Sequence, residues 1–383
     1  MNKEVLGVGI IGCGTFCTEY LKTLGPVYKT VKVMACSDID MDRANRIAQE
    51  WGVPHPCTTD ELLADPQVDI AVIVTGPGSH YPLTMQALRA GKHVYCEKPM
   101  ALTFQQANEI VDYAAAHGLF VANAPDTFLD CGLQTARRFI DEGKLGKVHG
   151  MTINFVGPGP DLWHPTGDFY YKKGGGPVMD MAPYYLSALV SILGPIDRIF
   201  CFTSRAFDRR PIQDHVVDVE VDTNCCGVVK LKNGVIGNIN LSFDITHGRQ
   251  PYFEIYGTRG ALICPDPNTY KDGLRFLPYE KLKEKAMAIP DYWDRVAYID
   301  STRPMELYED IPTPEPIGKN HRGMGINDMA ECILHGAKPR CSMYMSRHIT
   351  EAITGFAVSA ETGEPYVMTT TCERPDPMEY GKE

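Results

Sequence analysis

The sequence has no apolar run long enough to cross a membrane. A spanning helix needs about 20 consecutive apolar residues, and no stretch of the 383-residue chain approaches that length. The opening residues, Met1-Asn2-Lys3-Glu4, lead directly into a strand-like segment instead of the apolar core of a signal peptide. We therefore expect a cytoplasmic protein that makes no contact with a membrane.

Basic charge is scarce as well. Lys and Arg number 37 against 48 Asp and Glu, which leaves a formal net charge of -11 at pH 7. A nucleic-acid-binding surface requires clustered Lys and Arg rather than an acidic excess. Nucleic acid is therefore not expected as a partner.

Metal-ligand spacings and disulfide patterns are also missing. The 13 cysteines are odd in number, form no Cys-x-x-Cys pair and lie partly within apolar runs, as Cys36, Cys96 and Cys201 do; no His-x-x-x-His spacing occurs. Disulfide frameworks belong to short secreted chains, and zinc sites need closely spaced ligands. We predict reduced thiols and no metal site.

Short apolar runs rich in Val and Ile alternate with longer amphipathic stretches in the first part of the chain. The strand-like runs are Val5 to Ile11, Val31 to Cys36, Ile70 to Thr75, His93 to Cys96 and Leu119 to Ala122. The helix-like stretches are Met41 to Trp51, Ser79 to Ala90 and Thr103 to His117. This alternation predicts parallel strands joined by crossover helices, with helices on both faces of the sheet. The first domain is predicted to be a doubly wound α/β domain of the Rossmann type.

The second part of the chain has a different rhythm, with long alternating strands. Asn233-Gly234 separates two such runs between Cys225 and Ile245, and this pair is typical of a hairpin turn because both positions tolerate positive φ. Phe253 to Ile263 repeats the pattern, and the late stretches Gly325 to His335 and Ser346 to Thr362 are helix-like. We predict an α+β domain with a large, mostly antiparallel sheet.

A chain of 383 residues with 44% hydrophobic content is the size of about two domains. We place a dinucleotide-binding domain at 1-125 and a substrate and oligomerisation domain at 126-383, whose late helices pack back toward the first domain. One face of the second sheet needs a cover. We therefore expect a homo-oligomer that forms through this C-terminal sheet.

A glycine turn follows the first predicted strand. The literal pattern Gly-x-Gly-x-x-Gly at Gly7, Gly9 and Gly12 would put a phosphate loop inside that strand, so we set it aside. Five residues later, Gly12-Cys13-Gly14-Thr15-Phe16-Cys17 lies between strand and helix, where a helix N-terminus can bind a pyrophosphate. Cys17 replaces the third glycine and is small enough for close helix packing. The alternative interpretation is an ordinary strand-turn-helix unit.

Asp38 ends the second predicted strand, roughly 20 residues beyond the glycine turn, where a carboxylate can accept hydrogen bonds from both ribose hydroxyls. It would also repel a ribose phosphate, so NAD is expected in preference to NADP. The alternative is that Asp38-Ile39-Asp40 only caps the next helix. Nearby Arg43 leaves some use of NADP open.

Cys96-Glu97-Lys98-Pro99 stands at the end of the fourth predicted strand. Ligands of open parallel sheets bind beyond the carboxyl ends of the strands, so Lys98 is predicted to lie beside a nicotinamide ring. A lysine there can polarise a substrate hydroxyl, especially when burial and a cationic ring lower its pKa. The alternative is a surface lysine in a turn.

Taken together, these motifs resemble the Gfo/Idh/MocA family, the relatives of glucose-fructose oxidoreductase and inositol dehydrogenase, over nearly the whole chain. The motifs are Gly12-Cys13-Gly14, Asp38, Thr75-Gly76-Pro77 with His80, Ala90 to Pro99, Gly174-Gly175-Gly176-Pro177 with Asp180, Glu254 to Gly257 and Arg322 to Gly325. The resemblance implies a tightly held nicotinamide cofactor, a sugar or polyol substrate, and Lys98 near the reacting hydroxyl. It implies cofactor contacts by Gly12, Gly14, Thr15, Phe16, Asp38, Ile39, Thr75, Gly76, His80, Glu97 and Lys98.

Family members often carry Asp-x-x-x-His-x-x-Asp after the glycine triplet, with the histidine as acid and base. This chain has Asp180, Tyr184 and Ser187 at those positions, so Tyr184 replaces the histidine. Residues four apart share a helix face, and a tyrosine hydroxyl can relay a proton. Lys98, Asp180 and Tyr184 are therefore the candidate catalytic residues, and each is also expected to contact substrate.

The alternative for Tyr184 is simple core packing, in which case His164 and His321 are its substitutes. We interpret both histidines as substrate contacts. Trp163-His164 precedes the glycine triplet and suits stacking against a sugar, and His321 precedes Arg322 at the start of a helix. Arg322 completes the predicted substrate set.

The resulting hypothesis is an NAD-dependent dehydrogenase that acts on a secondary alcohol of a sugar or glycoside. We favour oxidation at C3 of a pyranose ring, because the run from Gly174 to Leu186 resembles family members assigned to pyranoses. Two alternatives stay open. One is a transient NAD-dependent oxidation that supports elimination of a glycosidic bond. The other is a cofactor-binding sensor without turnover.

Overall fold

The computed structural model describes residues 3–164, 166–248, 251–270, 273–301, 305–314 and 322–378. The first sheet contains six short strands: β1 (Leu6–Ile11), β2 (Val31–Ser37), β3 (His55–Pro56), β4 (Ile70–Ile73), β5 (His93–Cys96) and β6 (Val121–Asn123). Five helices connect them: α1 (Thr15–Leu21), α2 (Met41–Trp51), α3 (Thr59–Ala64), α4 (His80–Arg89) and α5 (Phe104–Ala116).

The six strands are parallel and follow the order β3-β2-β1-β4-β5-β6. This order reverses direction between β1 and β4, which is the switch point where dinucleotides bind in doubly wound sheets. Strands buried on both faces read as continuous apolar runs, and every residue of β1 and β4 is indeed buried. The predicted Rossmann architecture is confirmed.

The second sheet has nine strands in the order β16-β15-β14-β13-β7-β12-β11-β8-β17. They are β7 (Val148–Val156), β8 (Ile196–Ser204), β11 (Asn224–Leu231), β12 (Ile236–Ser242), β13 (Phe253–Gly257), β14 (Gly260–Cys264), β15 (Arg275–Pro278), β16 (Glu309–Asp310) and β17 (Tyr366–Val367). A separate two-stranded hairpin consists of β9 (Arg209–Ile212) and β10 (His215–Asp218).

All neighbours in the large sheet are antiparallel except β12 and β7, which run parallel. The predicted hairpin forms, with Lys230 opposite Ile236 on either side of Asn233-Gly234. The sheet is mostly antiparallel, as predicted.

Six further helices accompany this sheet: α6 (Cys131–Asp141), α7 (Gly176–Leu193), α8 (Tyr279–Met287), α9 (Tyr292–Ser301), α10 (Met324–His335) and α11 (Met343–Thr362). Helix α7 is almost entirely buried because it lies between the large sheet and α6 and α11. Helix α11 contacts α5 and β6 of the first sheet as well as α7 and β8 of the second part, so it joins the two sheets.

The sequence missed one strand-helix unit, β3 with α3. Strand β3 has only two residues, too few for a periodic pattern. Helix α3 has six, but it carries a complete capping box, in which the Thr58 side chain accepts from the Glu61 amide and Glu61 accepts from the Thr58 amide. That Thr-x-x-Glu signal was present in the sequence.

All 13 cysteines are free thiols. Among the described residues, no cluster of three or more His, Cys, Asp or Glu side chains could hold a metal ion. A search of the same residues finds no helix with the length and apolar character needed to span a membrane.

Candidate active site

The glycine turn lies at the carboxyl end of β1, at the switch point of the first sheet. Gly12 has φ +103, and a Cβ there would stand 2.7 Å from the Val74 carbonyl oxygen, so only glycine fits. Its amide donates to the Ser37 oxygen at 2.8 Å. Gly14 precedes α1, and a Cβ on it would meet nothing within 4 Å. The turn therefore leaves open backbone for the close approach of a phosphate group.

Gly7 and Gly9 have another purpose. Both lie inside β1. A Cβ on Gly7 would stand 1.7 Å from the Gln67 carbonyl oxygen, and a Cβ on Gly9 would stand 2.6 Å from the Leu62 Cδ2 atom. They allow close packing of the strand and lie within it, as we predicted, and not in the turn that follows it. Cys17 is fully buried and its amide donates to the Gly14 oxygen at 3.1 Å, so the small side chain fits beneath the turn.

Asp38 follows β2 and points back toward the glycine turn. Its Oδ2 accepts from the Cys13 amide at 2.8 Å and its Oδ1 accepts from the Asp40 amide at 2.9 Å. Arg43 Nη1 lies 3.7 Å from Asp38 Oδ2. Asp40, not Asp38, caps α2 by accepting from the amides of Asp42 and Arg43. Asp38 is thus a carboxylate placed beside the turn, separate from the helix cap.

The side chains around this carboxylate are unusually exposed for their type. Ile39 is 104% exposed and Phe16 is 53% exposed, while Thr15 is the first residue of α1. Exposed apolar side chains flanking an open glycine turn suit the apolar faces of an adenosine or nicotinamide. On the described residues, the glycine turn, Asp38 and these flanking groups together fit a dinucleotide.

Thr75 and Gly76 follow β4 on the other side of the switch point. Thr75 Oγ1 accepts from the Ser79 hydroxyl at 2.7 Å, and a Cβ on Gly76 would meet nothing within 4 Å. His80, the third residue of this group that we expect to contact the cofactor, is bound by the protein itself. It is 1% exposed, and its Nδ1 and Nε2 lie 2.7 and 2.9 Å from the carbonyl oxygens of Pro99 and Thr75. Its ring fastens two loops together and has no free nitrogen to offer.

Lys98 is paired with Asp180, a residue 82 positions later on α7. Lys98 Nζ donates to Asp180 Oδ1 at 2.5 Å and to the Asp180 carbonyl oxygen at 3.0 Å. Their side chains are only 16% and 18% exposed. The pair therefore connects the carboxyl end of β5 to the first turns of α7, beyond the edge of the sheet where the chemistry was expected.

Burial alone would lower the pKa of Lys98, as we expected from the sequence. The Asp180 carboxylate, followed by Tyr184 and Glu97, outweighs that effect, so the pKa of Lys98 lies above its ordinary value. Among the protein groups, the neighbouring negative charge therefore acts on the Lys98 pKa in the direction opposite to burial, and more strongly. Lys98 is an ammonium group near neutral pH.

Tyr184 lies one helical turn beyond Asp180 and faces the same lysine. Lys98 Nζ is 5.0 Å from the centre of the Tyr184 ring, which is within cation-π range. Tyr184 is 6% exposed, and among the described residues its hydroxyl makes no hydrogen bond. Ser187, at the last position of the family pattern, is buried one further turn along. The phenol is thus next to the lysine with its hydroxyl available.

Glu97 and Arg322 form a buried ion pair that the sequence did not predict. Glu97 Oε1 accepts from Arg322 Nη1 at 2.9 Å and from the Tyr20 hydroxyl at 2.7 Å, and Glu97 Oε2 accepts from the Lys98 amide at 3.1 Å. Burial raises the pKa of Glu97, but Arg322 and Tyr20 more than offset that, so its pKa is lowered. Glu97 is therefore occupied by protein groups.

Arg322, which we expect to contact substrate, lies among protein groups near the glycine turn. Its guanidinium lies on Glu97 and also over the rings of Phe16 and Tyr20, at 5.3 and 5.9 Å from their centres. Arg322 is therefore in contact with Phe16, one residue after the predicted phosphate-binding turn begins its helix. His321, the other late substrate candidate, lies outside the described residues.

Four aromatic rings cluster in the segment that precedes the glycine triplet. His164 stands edge-on to Trp163, Phe169 and Tyr170 at 5.4, 5.5 and 5.4 Å between ring centres. Trp163 is 67% exposed, whereas Tyr170 is 9% exposed. Burial raises the pKa of Tyr170, the charge of Asp180 raises it further and the charge of Lys98 lowers it, so Tyr170 is within electrostatic range of the pair. The sequence analysis missed Tyr170, although it adjoins the Trp163-His164 motif.

Comparison with known proteins gives two matching family models. The model described as the oxidoreductase family with an NAD-binding Rossmann fold matches residues 6–124, and the GFO/IDH/MocA C-terminal domain matches residues 133–263. Together with the sheet order and the open glycine turn, these matches define a nicotinamide-dependent oxidoreductase. The chain belongs to the Gfo/Idh/MocA family.

Individual relatives share the fold at low sequence identity. The myo-inositol 2-dehydrogenase of Thermotoga maritima is 25% identical over 264 residues, which are 67% of this chain and 74% of that protein. The 1,5-anhydro-D-fructose reductase of Ensifer adhaerens is 28% identical over 270 residues, 69% of this chain and 77% of that protein. A levoglucosan dehydrogenase in complex with NADH and L-sorbose superimposes with a TM-score of 0.78 at 18% identity, covering 96% of this chain and 100% of that one.

Proposed function

We propose that this protein transfers hydride between a secondary alcohol of a sugar or glycoside and NAD. The observation that carries the proposal is the buried Lys98–Asp180 pair, with the Tyr184 ring 5.0 Å from Lys98 Nζ. The names of two relatives, a myo-inositol dehydrogenase and an anhydrofructose reductase, support a polyol or sugar as substrate. Within that class we favour a pyranose oxidised at C3.

We assign the dinucleotide to residues 1-125 and the substrate to 126-383. Gly12, Gly14 and Thr15 would receive the phosphates, and Asp38 the ribose hydroxyls, which favours NAD over NADP because a carboxylate repels a ribose phosphate. Phe16, Ile39, Thr75 and Gly76 would border the remaining cofactor surface. The bound nicotinamide supplies or accepts the hydride.

Proton transfer falls to Lys98 and its neighbours. In the direction of ketone reduction, the Lys98 ammonium can donate to the carbonyl oxygen, since Asp180 keeps the lysine protonated. In the direction of alcohol oxidation, Lys98 has to lose that proton before it can accept the one on the substrate hydroxyl. The Tyr184 hydroxyl is the adjacent group that can pass a proton between substrate and solvent.

Asp180, the other member of the pair, would orient the substrate. Asp180 can accept a hydrogen bond from a second sugar hydroxyl while it holds Lys98, because a carboxylate has acceptor sites for both. Trp163, His164 and Tyr170 offer ring faces for the C–H surface of a pyranose. The Lys98–Asp180 pair would thus meet the hydroxyl groups of a sugar ring, and the aromatic rings would meet its C–H groups.

The decisive test is turnover of a panel of polyols, pyranoses and glycosides with NAD and with NADP, followed by reduced nicotinamide and by product structure. We expect a 3-keto product with NAD. Replacement Lys98→Met should lower kcat about 10² to 10⁴-fold, the usual contribution of a positioned proton donor, while NADH still binds.

Lys338→Met is the matched control, because Lys338 is 85% exposed and pairs only with Glu373 among the described residues. It should behave as the wild type. The proposal fails if no sugar or polyol is oxidised or reduced, or if Lys98→Met retains wild-type kcat on the best substrate. Release of an aglycone without net NADH would instead indicate elimination.

A further inference from the structure

The aromatic cluster belongs to a segment without regular strands, and that segment is held by the β9–β10 hairpin. Two short 3-10 turns, Pro160–Leu162 and Gly167–Tyr171, flank Trp163 and His164. Irregular segments with exposed rings are normally mobile, because few of their contacts are buried. This one is instead anchored at both ends by ion pairs from a separate hairpin.

Arg210 of β9 makes the first anchor. Its Nη1 donates to the Pro158 oxygen at 2.9 Å and to both Asp161 carboxylate oxygens at 3.3 Å, and its Nη2 donates to Asp244 Oδ1 at 2.6 Å and to the Phe243 oxygen at 2.8 Å. The side chains of Arg210, Asp161 and Asp244 are 8%, 6% and 7% exposed. The guanidinium thus joins the start of the segment to the end of β12.

The chain around this anchor is shaped to accept it. Gly159 has φ +106, and a Cβ there would stand 2.5 Å from Asp161 Oδ1 and 2.6 Å from the Tyr171 hydroxyl. The Tyr171 hydroxyl itself donates to Asp161. Since Tyr171 closes the segment and Asp161 opens it, this hydrogen bond ties the two ends together around Trp163 and His164.

His215 of β10 makes the second anchor. Its Nε2 lies 2.9 and 3.0 Å from the two carboxylate oxygens of Asp168, the second residue of the second 3-10 turn, and both side chains are about half exposed. Between the two anchors, the fully buried Ile212 packs beneath Gly167, with 3.7 Å between the position of a Cβ there and Ile212 Cδ1. Arg210, Ile212 and His215 therefore fix the segment at three successive points.

A buried ion network of this kind is a weak source of stability. Withdrawing three charges from water costs several kcal/mol per ion, and well-packed apolar groups of similar volume often serve stability equally well. In some proteins, buried ion pairs instead restrict the surrounding chain to a single conformation. The segment that this network defines carries Tyr170, which packs against the start of α7: a Cβ on Gly175, the residue before that helix, would stand 2.5 Å from the Tyr170 carbonyl oxygen. Asp180 lies in the first turns of the same helix.

We propose that Arg210 is a positioning residue of the active site, which through Asp161 and Asp244 holds the Pro160–Tyr171 segment so that Trp163, His164 and Tyr170 stand ready for the sugar ring. The role of the segment in sugar binding rests on the function proposed above. Arg210 itself touches neither substrate nor cofactor in this scheme. Its loss changes the affinity for substrate and leaves the hydride-transfer machinery in place.

Steady-state kinetics of Arg210→Lys and Arg210→Met, with Arg209→Met as the matched control, test this role. Arg209 is the neighbouring residue on β9, 67% exposed and paired with Asp218 on the surface. We expect Arg210→Met to raise the KM for the sugar roughly 10 to 100-fold, the scale of effect that misplaced contacts have, with kcat within about threefold of wild type. Arg210→Lys should recover part of the loss, and Arg209→Met should have no effect.

A measurement independent of turnover uses Trp163 as reporter. The chain has three tryptophans, so a Trp51→Phe, Trp293→Phe background leaves Trp163 alone. In that background, Arg210→Met should lower the fluorescence anisotropy of Trp163 and increase its quenching by acrylamide, whereas the NADH dissociation constant should not change. If Arg210→Met fails to fold, Asp161→Asn is measured in its place, because it weakens the same anchor without removing the guanidinium.

The outcomes separate the two proposals. Unchanged Trp163 anisotropy and quenching in a folded Arg210→Met or Asp161→Asn protein would overturn the positioning role. An equal fall of kcat and rise of the NADH dissociation constant would also overturn it, since that pattern indicates general damage. A clear change in Trp163 mobility in a protein that turns over no sugar would keep the anchor but reject the proposed substrate class.

Discussion

Three carboxylates at the candidate site each accept a hydrogen bond from a protein group. Asp38 accepts from the Cys13 amide, Glu97 from Arg322 and Asp180 from Lys98. In each case a buried or half-buried charge has a partner, which is the condition for keeping it ionised away from water. The consequence is that a substitution at any of them changes both a ligand contact and the shape of the unliganded site.

Asp38 provides a prediction of this kind about cofactor choice. Asp38→Gly should weaken NAD binding about 10 to 100-fold, because a hydrogen bond to a charged group contributes about 1.5–3 kcal/mol. The same change should improve the ratio of NADP to NAD affinity, because Arg43 then loses a carboxylate 3.7 Å away and is free to meet a phosphate. Fluorescence titration with NADH and NADPH measures both effects.

Asp40→Asn is the control for that experiment. Asp40 caps α2 two residues away, and asparagine is an equally good cap. Both cofactors should bind this variant as they bind the wild type. Retention of a strong NAD preference by Asp38→Gly would contradict the assignment of Asp38 to the ribose.

At the residue scale, the sequence predicted where site residues lie in the fold better than it predicted which residues they bind. Lys98 and Asp38 were identifiable because each follows a strand of the Rossmann sheet, and the topology fixes where such ends lie. The pairing of Glu97 with Arg322 joins residues 225 positions apart, and no local pattern encodes it. The partners of His80 were not predictable for the same reason, since the carbonyl oxygens beside its ring nitrogens come from two separate loops.

At the scale of elements, helix α11 carries polar groups that are satisfied only through the final strand and the loop after it. His348 is fully buried, its Nε2 accepts from the Ile196 amide at 3.0 Å, and its Nδ1 lies 2.9 Å from the Thr370 hydroxyl. Glu351, one turn later, accepts from the amides of Thr369 and Thr370 at 2.6 and 2.8 Å. The helix is thus attached to β8 and to the segment after β17 by buried hydrogen bonds.

His348 makes the stability of this attachment depend on pH. Burial lowers the pKa of His348 to about 4, from an ordinary value of 6.5. The folded state therefore favours the neutral ring, so its contribution is complete above about pH 6.5 and is lost as the pH falls toward 4. That amounts to about 3 kcal/mol across the window, at 1.36 kcal/mol per unit. Urea unfolding between pH 7 and pH 4 measures it.

In the variant His348→Gln, which keeps a neutral polar group of similar reach, the free energy of unfolding should vary less over that range. His335→Gln serves as control, because His335 is 70% exposed. An identical pH profile for wild type and His348→Gln would contradict the prediction.

Element types followed from periodicity wherever a run was long enough. Strands β1, β2 and β5 and helices α2, α4 and α5 lie within a residue or two of the predicted bounds. The parallel pairing of β7 with β12 could not be predicted, because strand order in a mixed sheet depends on crossovers that the alternating pattern does not record. The anchoring of the aromatic segment by β9–β10 was not predicted, because the charged residues that form it, Arg210, Asp161 and Asp244, are far apart in the sequence.

At the scale of the whole molecule, one face of the nine-stranded sheet carries exposed apolar side chains on β8, β11 and β12, within the part of the chain that the structure describes. Residues that alternate along β8, β11 and β12 point away from α7 and α11, and among them Phe202, Val228 and Ile236 are 64%, 53% and 59% exposed. Registered pairs such as Phe202 opposite Cys226 put these side chains on one face. Contiguous exposed apolar surface of this sort is typical of an interface.

We predict that this face joins copies of the chain, as we expected from the open sheet. Light scattering after size-exclusion chromatography should give a mass of two or more chains, and the double variant Phe202→Glu, Val228→Glu should shift it to one, because charges on both sides of such an interface repel and lose their water. Met287→Glu, at a 62% exposed position on α8, is the control. A wild-type protein that is monomeric at micromolar concentration would refute the prediction.

The bridging position of α11 also bears on how the chain folds as it is synthesised. The ribosome makes α5, β6, α7 and β8 well before α11, although α11 covers parts of all four. Until α11 arrives, every strand of the two sheets except β17 can pair, but the apolar surfaces between the sheets remain in contact with water. Domains that wait in this way expose surface on which chaperones act and from which aggregation starts. The nascent chain is therefore most vulnerable in the interval before α11 docks.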